Sequence, residues 1–158
     1  MLFVLLWIAT IKGEQMAINI KDLLIKAAEK TAKALASKEA KKTKQNEDFV
    51  RSHLTRQITA GLKSSEHFAD RVIQRFTSDE FENLSSAISR AIRQTAPQES
   101  GCEHKTISQK IVDSLTGIVT ILERQGKFGA VLVTTYKLGC ENLLSDSELR
   151  EMKLRGLL

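Results

Sequence analysis

The chain has 158 residues, 42% of them hydrophobic and 27% charged, enough for one core and too few to suggest two. One proline, eight glycines and 5% aromatic residues leave little turn material for an all-β fold, and two cysteines argue against a disulfide scaffold. The net charge of +5 falls entirely in residues 16–45, where eight lysines face Asp22, Glu29 and Glu39; residues 46–158 carry 15 basic and 15 acidic side chains.

Residues 1–11, MLFVLLWIATI, form an apolar run. It is shorter than the roughly 20 residues that span a bilayer, and it lacks both a basic leader and a small-residue cleavage pattern. Lys12-Gly13-Glu14-Gln15 can be encoded by a purine-rich AGGAG ribosome-binding sequence just before Met16. Residues 1–15 therefore read as a non-native upstream extension of a bacterial, phage or plasmid gene that starts at Met16. The alternative is a weak membrane anchor, with a membrane as partner only if those residues are retained. The expected location is the cytoplasm.

From Ile18 to Lys44, apolar residues at Ile20, Leu23, Leu24, Ala27, Thr31, Ala34 and Leu35 trace one narrow, alanine-rich helical stripe. Lys26, Lys30, Lys33, Lys41 and Lys44 fall on another side and form a ridge, so residues 16–45 read as a lysine-rich helical arm. Asn46 or Asp48 caps a second helix with Phe49, Val50, Leu54, Ile58 and Leu62 on its buried side and Gly61 near its end. Ser64 and Ser65 introduce a third, with Phe68, Val72, Ile73 and Phe76 on one face. Thr77 and Glu80 have capping-box spacing and open a fourth, through Phe81, Leu84, Ile88, Ala91 and Ile92, which Pro97 halts.

Residues 96–105, APQESGCEHK, read as an exposed loop. Thr106 and Gln109 form another capping box, followed by Ile107, Ile111, Leu115, Ile118, Val119 and Leu122 at helical spacing up to Gly126. Residues 127–138, KFGAVLVTTYKL, are ambiguous: Val131, Val133, Thr134, Thr135 and Tyr136 favour strand, while the lack of a strand partner favours helix. Ser145 and Glu148 cap a last helix with Leu149, Met152 and Leu157 turned inward. The expected fold is all-α, a bundle of about five to seven helices, with residues 46–158 as one helical domain.

A lysine ridge suits contact with phosphates without base reading, because an ammonium is a point charge and arginine is absent from this helix. Arg71/Arg75 and Arg90/Arg93 each share a helix face and together suggest a phosphate-binding surface, with ion pairs to acids such as Asp70 and Glu82 as the plainer alternative. The third and fourth helices make a poor helix-turn-helix, since the fourth begins with Asp79, Glu80 and Glu82. Cys102 and His104 lack a second ligand pair for a metal, His53 and His67 lie singly on helices, and no serine sits in a nucleophile elbow.

The expectation is a non-enzymatic binding or regulatory protein, without cofactor or metal. It would contact nucleic acid through Lys26, Lys30, Lys33, Lys41, Lys44, Arg71, Arg75, Arg90 and Arg93. The alternative is a protein-protein module that binds a host protein through its helix faces, and a homo-oligomer is compatible with either.

Overall fold

The computed structural model describes residues 18–95, 108–140 and 144–157. Five helices surround a four-stranded sheet, in the order α1 (Ile20–Thr43), α2 (Glu47–Gly61), β1 (Leu62–Ser64), α3 (Glu66–Arg75), a single 3-10 turn (Ser78–Glu80), α4 (Phe81–Gln94), β2 (Ser108–Val112), β3 (Ile118–Gln125), β4 (Gly129–Lys137) and α5 (Asp146–Leu154). The sheet order is β1-β4-β3-β2; β1 runs parallel to β4 and the other pairs are antiparallel. The all-α expectation is thus corrected to a mixed α/β fold.

The correction falls on residues 108–137. Five of the apolar residues expected to line a fifth helix belong to a hairpin: Ile111 lies on β2, Ile118, Val119 and Leu122 lie on β3, and Leu115 is 77% exposed in the turn between them. That turn is built by Asp113 and Gly117. The Gly117 N–H donates to the Asp113 carbonyl at 2.8 Å, and Gly117 has φ +70°, a conformation that favours glycine. The ambiguous segment 127–138 is mostly β4, and its partners are β3 and the three-residue β1. Gln109, expected to help cap a helix, pairs with Leu122 in the ladder.

The helices before residue 95 follow the sequence closely. The Asn46 and Ser65 side chains cap α2 and α3, and the Thr77 N–H donates to the Glu80 carboxylate at 3.1 Å where the 3-10 turn leads into α4. Leu23, Ala27, Phe68, Val72, Phe76, Leu84 and Ile88 fill a core against Leu62, Leu122, Ala130 and Leu132 of the sheet. Each of the large side chains contributes roughly 1.5–3 kcal/mol by leaving water. Three residues expected inside lie outside: Phe49 and Ile73 are exposed, and so is Ala34.

The alanines of α1 that pack on another helix are not those of the expected stripe, whose Ala27 lies in the core against α4 and whose Ala34 is exposed. Ala28, Ala32, Ala36 and Ala40 pack on Val50, Leu54 and Ile58 of α2, and on the α4 side the Thr31 hydroxyl donates to Ser89 Oγ at 2.9 Å. Small side chains let these backbones approach closely. The opposite face of the sheet is covered by α5: Val119, Ile121 and Tyr136 pack with Leu144 and Met152, flanked by Val133, Leu149 and Leu157. The extension 1–15 with Met16, the loop 96–105 with Cys102 and His104, and Thr106 and Ile107 lie outside the described residues. Among the described residues no helix is long and apolar enough to cross a membrane.

Candidate functional site

The five lysines of the ridge do not share one environment. The Lys30 ammonium turns onto α4, where the Glu82 carboxylate and the Ser85 and Ser86 hydroxyls lie at 2.8 Å and the Glu82 carbonyl at 3.1 Å, four acceptors for its three N–H groups. Lys26 lies 4.0 Å from Glu29, and Lys33 lines a groove with Glu29, Arg51 and Arg56. Lys41 and Lys44 are exposed at the far end of α1. The reading of an all-helical protein that contacts nucleic acid through a separable lysine helix is therefore overturned, because α1 is built between α2 and α4 of an α/β body. The alternative reading as a helical module also loses its basis, since the stripe it relied on is covered within the chain: Leu23 and Ala27 lie in the core, Thr31 meets Ser89 and Leu35 packs beside α2.

The arginine pairs are not brought together either. Arg90 reaches the β2–β3 turn, where its Nε and Nη2 donate to the two Asp113 carboxylate oxygens at 2.6 and 2.8 Å. Arg93 is exposed beside a different cleft, with Glu39, Arg124 and Lys127. Arg124 is a structural clamp: it donates to the carbonyls of Ile92, Thr95, Lys127 and Gly129, tying the end of α4 to the β3–β4 turn. Asp70 and Glu82 pair with none of these arginines among the described residues.

Arg71 and Arg75, one helical turn apart on α3, converge on Glu148 of α5. Their side chains are 17% and 14% exposed and the glutamate 3%. Arg75 Nη2 donates to Glu148 Oε1 at 2.8 Å, the Thr134 hydroxyl donates to Oε2 at 3.3 Å, and the Ser145 N–H donates to Oε1 at 3.2 Å. Arg71 Nε lies 3.1 Å from the same oxygen, close enough for an ion pair, yet it is not aimed along a hydrogen bond and has no other acceptor. Arg75 Nη1 also donates to the Thr135 carbonyl at 3.1 Å, which fixes α3 to β4.

Burial opposes the charge on Glu148, but the Arg75 hydrogen bond, the Ser145 N–H and the Arg75 charge outweigh it and hold the carboxyl below its ordinary range. Two guanidinium groups surround one carboxylate, so the cluster carries an excess positive charge.

A register shift in β4 places the remaining groups. Ile121 pairs with Thr134 while Leu122 pairs with Leu132, which leaves Val133 as an extra residue. Ala130 and Leu132 therefore face the α1/α4 core, whereas Thr134 and Tyr136 face α5. Tyr136 is buried and its hydroxyl has no partner. It lines a cleft of about 230 Å³ with Gln74, Arg75, Lys137 and Cys140. Glu148 itself lines a second, smaller pocket with His67, Thr134, Glu151 and Arg155.

His67, Arg71 and Arg75 thus lie at successive turns along one face of α3. Sequence reading found the two arginines and missed Thr134, Tyr136 and Glu148. Among the described residues no group of three or more His, Cys, Asp or Glu side chains is placed to hold a metal. Comparison with protein-family models, curated proteins and solved structures finds no match for this chain.

Proposed function

We propose that the protein binds a phosphate ester in the cleft between α3 and β4, with Arg71 and Arg75 holding the phosphate oxygens. The observation that carries this reading is the convergence of two largely buried arginines on one acceptor, with a positive charge left over; Tyr136, whose hydroxyl has no partner, lines a cleft with Arg75. Guanidinium groups match the spacing of phosphate oxygens, and in a partly dehydrated cleft their hydrogen bonds are stronger than at a surface. The hydroxyls of Thr134 and Tyr136 supply further donors.

The test is calorimetric titration of the full chain with inorganic phosphate, a nucleoside monophosphate and a short single-stranded oligonucleotide, alongside Arg71→Gln and Arg75→Gln. Binding that falls at least about tenfold in each variant supports the reading, since a charge-assisted hydrogen bond contributes about 1.5–3 kcal/mol. Binding unchanged in both variants, or lost instead on changing Lys33, Lys41 and Lys44 to Gln, refutes it.

His67, one turn before Arg71 on α3, favours a second reading, hydrolysis of the bound ester, in which water attacks phosphorus and the ester oxygen leaves as an alcohol. An imidazole can give and take a proton, and arginines at the phosphate stabilise charge that builds up in the transition state. His67→Ala should then keep binding and lose turnover of RNA or DNA oligomers; wild-type chain that binds them and leaves them intact refutes cleavage alone.

A further inference from the structure

We propose that α5 is a displaceable internal ligand: the Glu148 carboxylate occupies the position of the ligand's phosphate, so docking of α5 and binding of the ester exclude one another. This inference rests on the phosphate-ester reading of the same cleft.

The first support is chemical. The Glu148 oxygens accept from Arg75 and Thr134 and lie beside Arg71, donors that stay in place for a phosphate when α5 leaves, whereas the Ser145 N–H caps α5 and leaves with it. A carboxylate presents one negative charge and two oxygens to this cluster, so a phosphate monoester would balance both guanidinium groups better than the glutamate does.

The second support is how α5 is attached. Strand β1 and the residue after it are fastened by backbone bonds, including the Ser65 N–H to the Leu132 carbonyl at 3.0 Å. Among the described residues no backbone hydrogen bond ties α5 to the sheet. The helix is held by side chains: the Glu148 cluster, the ion pair between Arg155 and Glu123, and the packing of Leu149, Met152 and Leu157. It can leave without breaking a β-ladder.

The third support is what α5 covers. Beneath and beside it lie Thr134, Tyr136 with its unpartnered hydroxyl, and the α3 face that carries Arg71 and Arg75. Glu148 lines the pocket that holds His67 and Thr134, and its partner Arg75 lines the cleft that holds Tyr136. With α5 away they would join into one groove along β4, long enough for an extended ligand. In the docked state the apparent affinity is lowered by the fraction of molecules in which the cleft is open.

The experiment compares full-length wild type, Glu148→Gln and Arg75→Gln, using inorganic phosphate and a 5′-phosphorylated oligonucleotide as probes. Affinity is read by calorimetry, and amide hydrogen exchange follows α5 in the wild type. Binding at least about tenfold tighter in Glu148→Gln, together with faster exchange confined to α5 when wild type is saturated, supports the inference. Equal affinity in Glu148→Gln, with binding still lost in Arg75→Gln, overturns the competition and leaves the phosphate-ester reading intact. No binding in any form overturns both. If Glu148→Gln proves too unstable to titrate, the wild-type exchange decides: α5 amides that slow or do not change on saturation overturn the inference.

Discussion

Replacing Arg90 by alanine should destabilise the protein more than replacing any exposed cation, because Arg90 neutralises a buried carboxylate. The Asp113 side chain is 3% exposed and accepts from Arg90 at 2.6 and 2.8 Å; without Arg90 only the N–H and hydroxyl of Thr116 remain. Removing one partner of a buried pair costs about 3–5 kcal/mol. Arg90 itself is 24% exposed and the Thr116 donors persist, so the expected loss lies at the low end, about 3 kcal/mol. For a domain of this size that corresponds to a fall in Tm of about 10 °C.

Thermal and urea melts by circular dichroism on wild type, Arg90→Ala, Asp113→Asn and the double variant would measure it. The double variant should recover part of the loss, since the uncompensated charge is gone. A Tm for Arg90→Ala within about 1 °C of wild type, or no recovery in the double variant, would refute the argument. The pH dependence carries a sign. The hydrogen bonds from Arg90 hold the Asp113 carboxyl below its usual value near 3.8 against the pull of burial. Its contribution is therefore complete above that value and fades as pH falls through the lower, folded one, so Arg90→Ala should flatten the acid limb of the stability curve.

Gly129→Ala should lose about 1–3 kcal/mol in the same melts, because a Cβ there would sit 2.5 Å from the Gln125 carbonyl oxygen and 3.0 Å from that of Gly61. Leu115→Ser, at an exposed turn position, should stay within about 0.5 kcal/mol, and a larger change would mean that Leu115 is covered in solution. Tyr136→Phe should separate stability from binding: it removes a buried hydroxyl without a partner, so Tm should hold or rise while phosphate affinity falls. A drop in both would assign the hydroxyl a structural role. Glu148 also has a folded value below the ordinary 4.5, so its hold on α5 is complete above that value and is lost as pH falls below it. Amide exchange should show α5 opening on acidification before β3 does, and simultaneous opening would count against a side-chain attachment.

Much of the helical half was legible because its signals are local. Asn46 and Ser65 at caps, Thr77 with Glu80, and the spacing of Leu84, Ile88, Ala91 and Ile92 each report on a few neighbouring residues, and the structure keeps them. The sheet was not legible because β3 is buried on both faces over Ile118–Leu122, which removes the alternation that betrays a strand. Adding Ile111 and the exposed Leu115 then produced a helical rhythm by coincidence. Judging residues 127–138 by their lack of a partner failed for the same reason, since the partner had itself been read as helix.

At the site, the arginines were visible as a pair on one helix face. Glu148 was absorbed by its local capping role with Ser145, a role it does keep while also reaching Arg75. Thr134 and Tyr136 were hidden by the extra residue Val133, since plain alternation from Leu132 puts them on the wrong face.

The contact between Gly61 and Gly129 bears on the order in which the chain assembles. A Cβ on Gly61 would come within 2.9 Å of the Gly129 Cα, and the next residue of each segment, Leu62 and Ala130, begins the β1–β4 pairing. The α1–α2 hairpin is local and can form early, whereas this crossing joins distant parts of the chain and waits on a large loop closure. Bulk added at either glycine should therefore speed unfolding far more than it slows refolding in stopped-flow measurements. Refolding slowed by the full loss of stability would place the crossing in the folding nucleus instead.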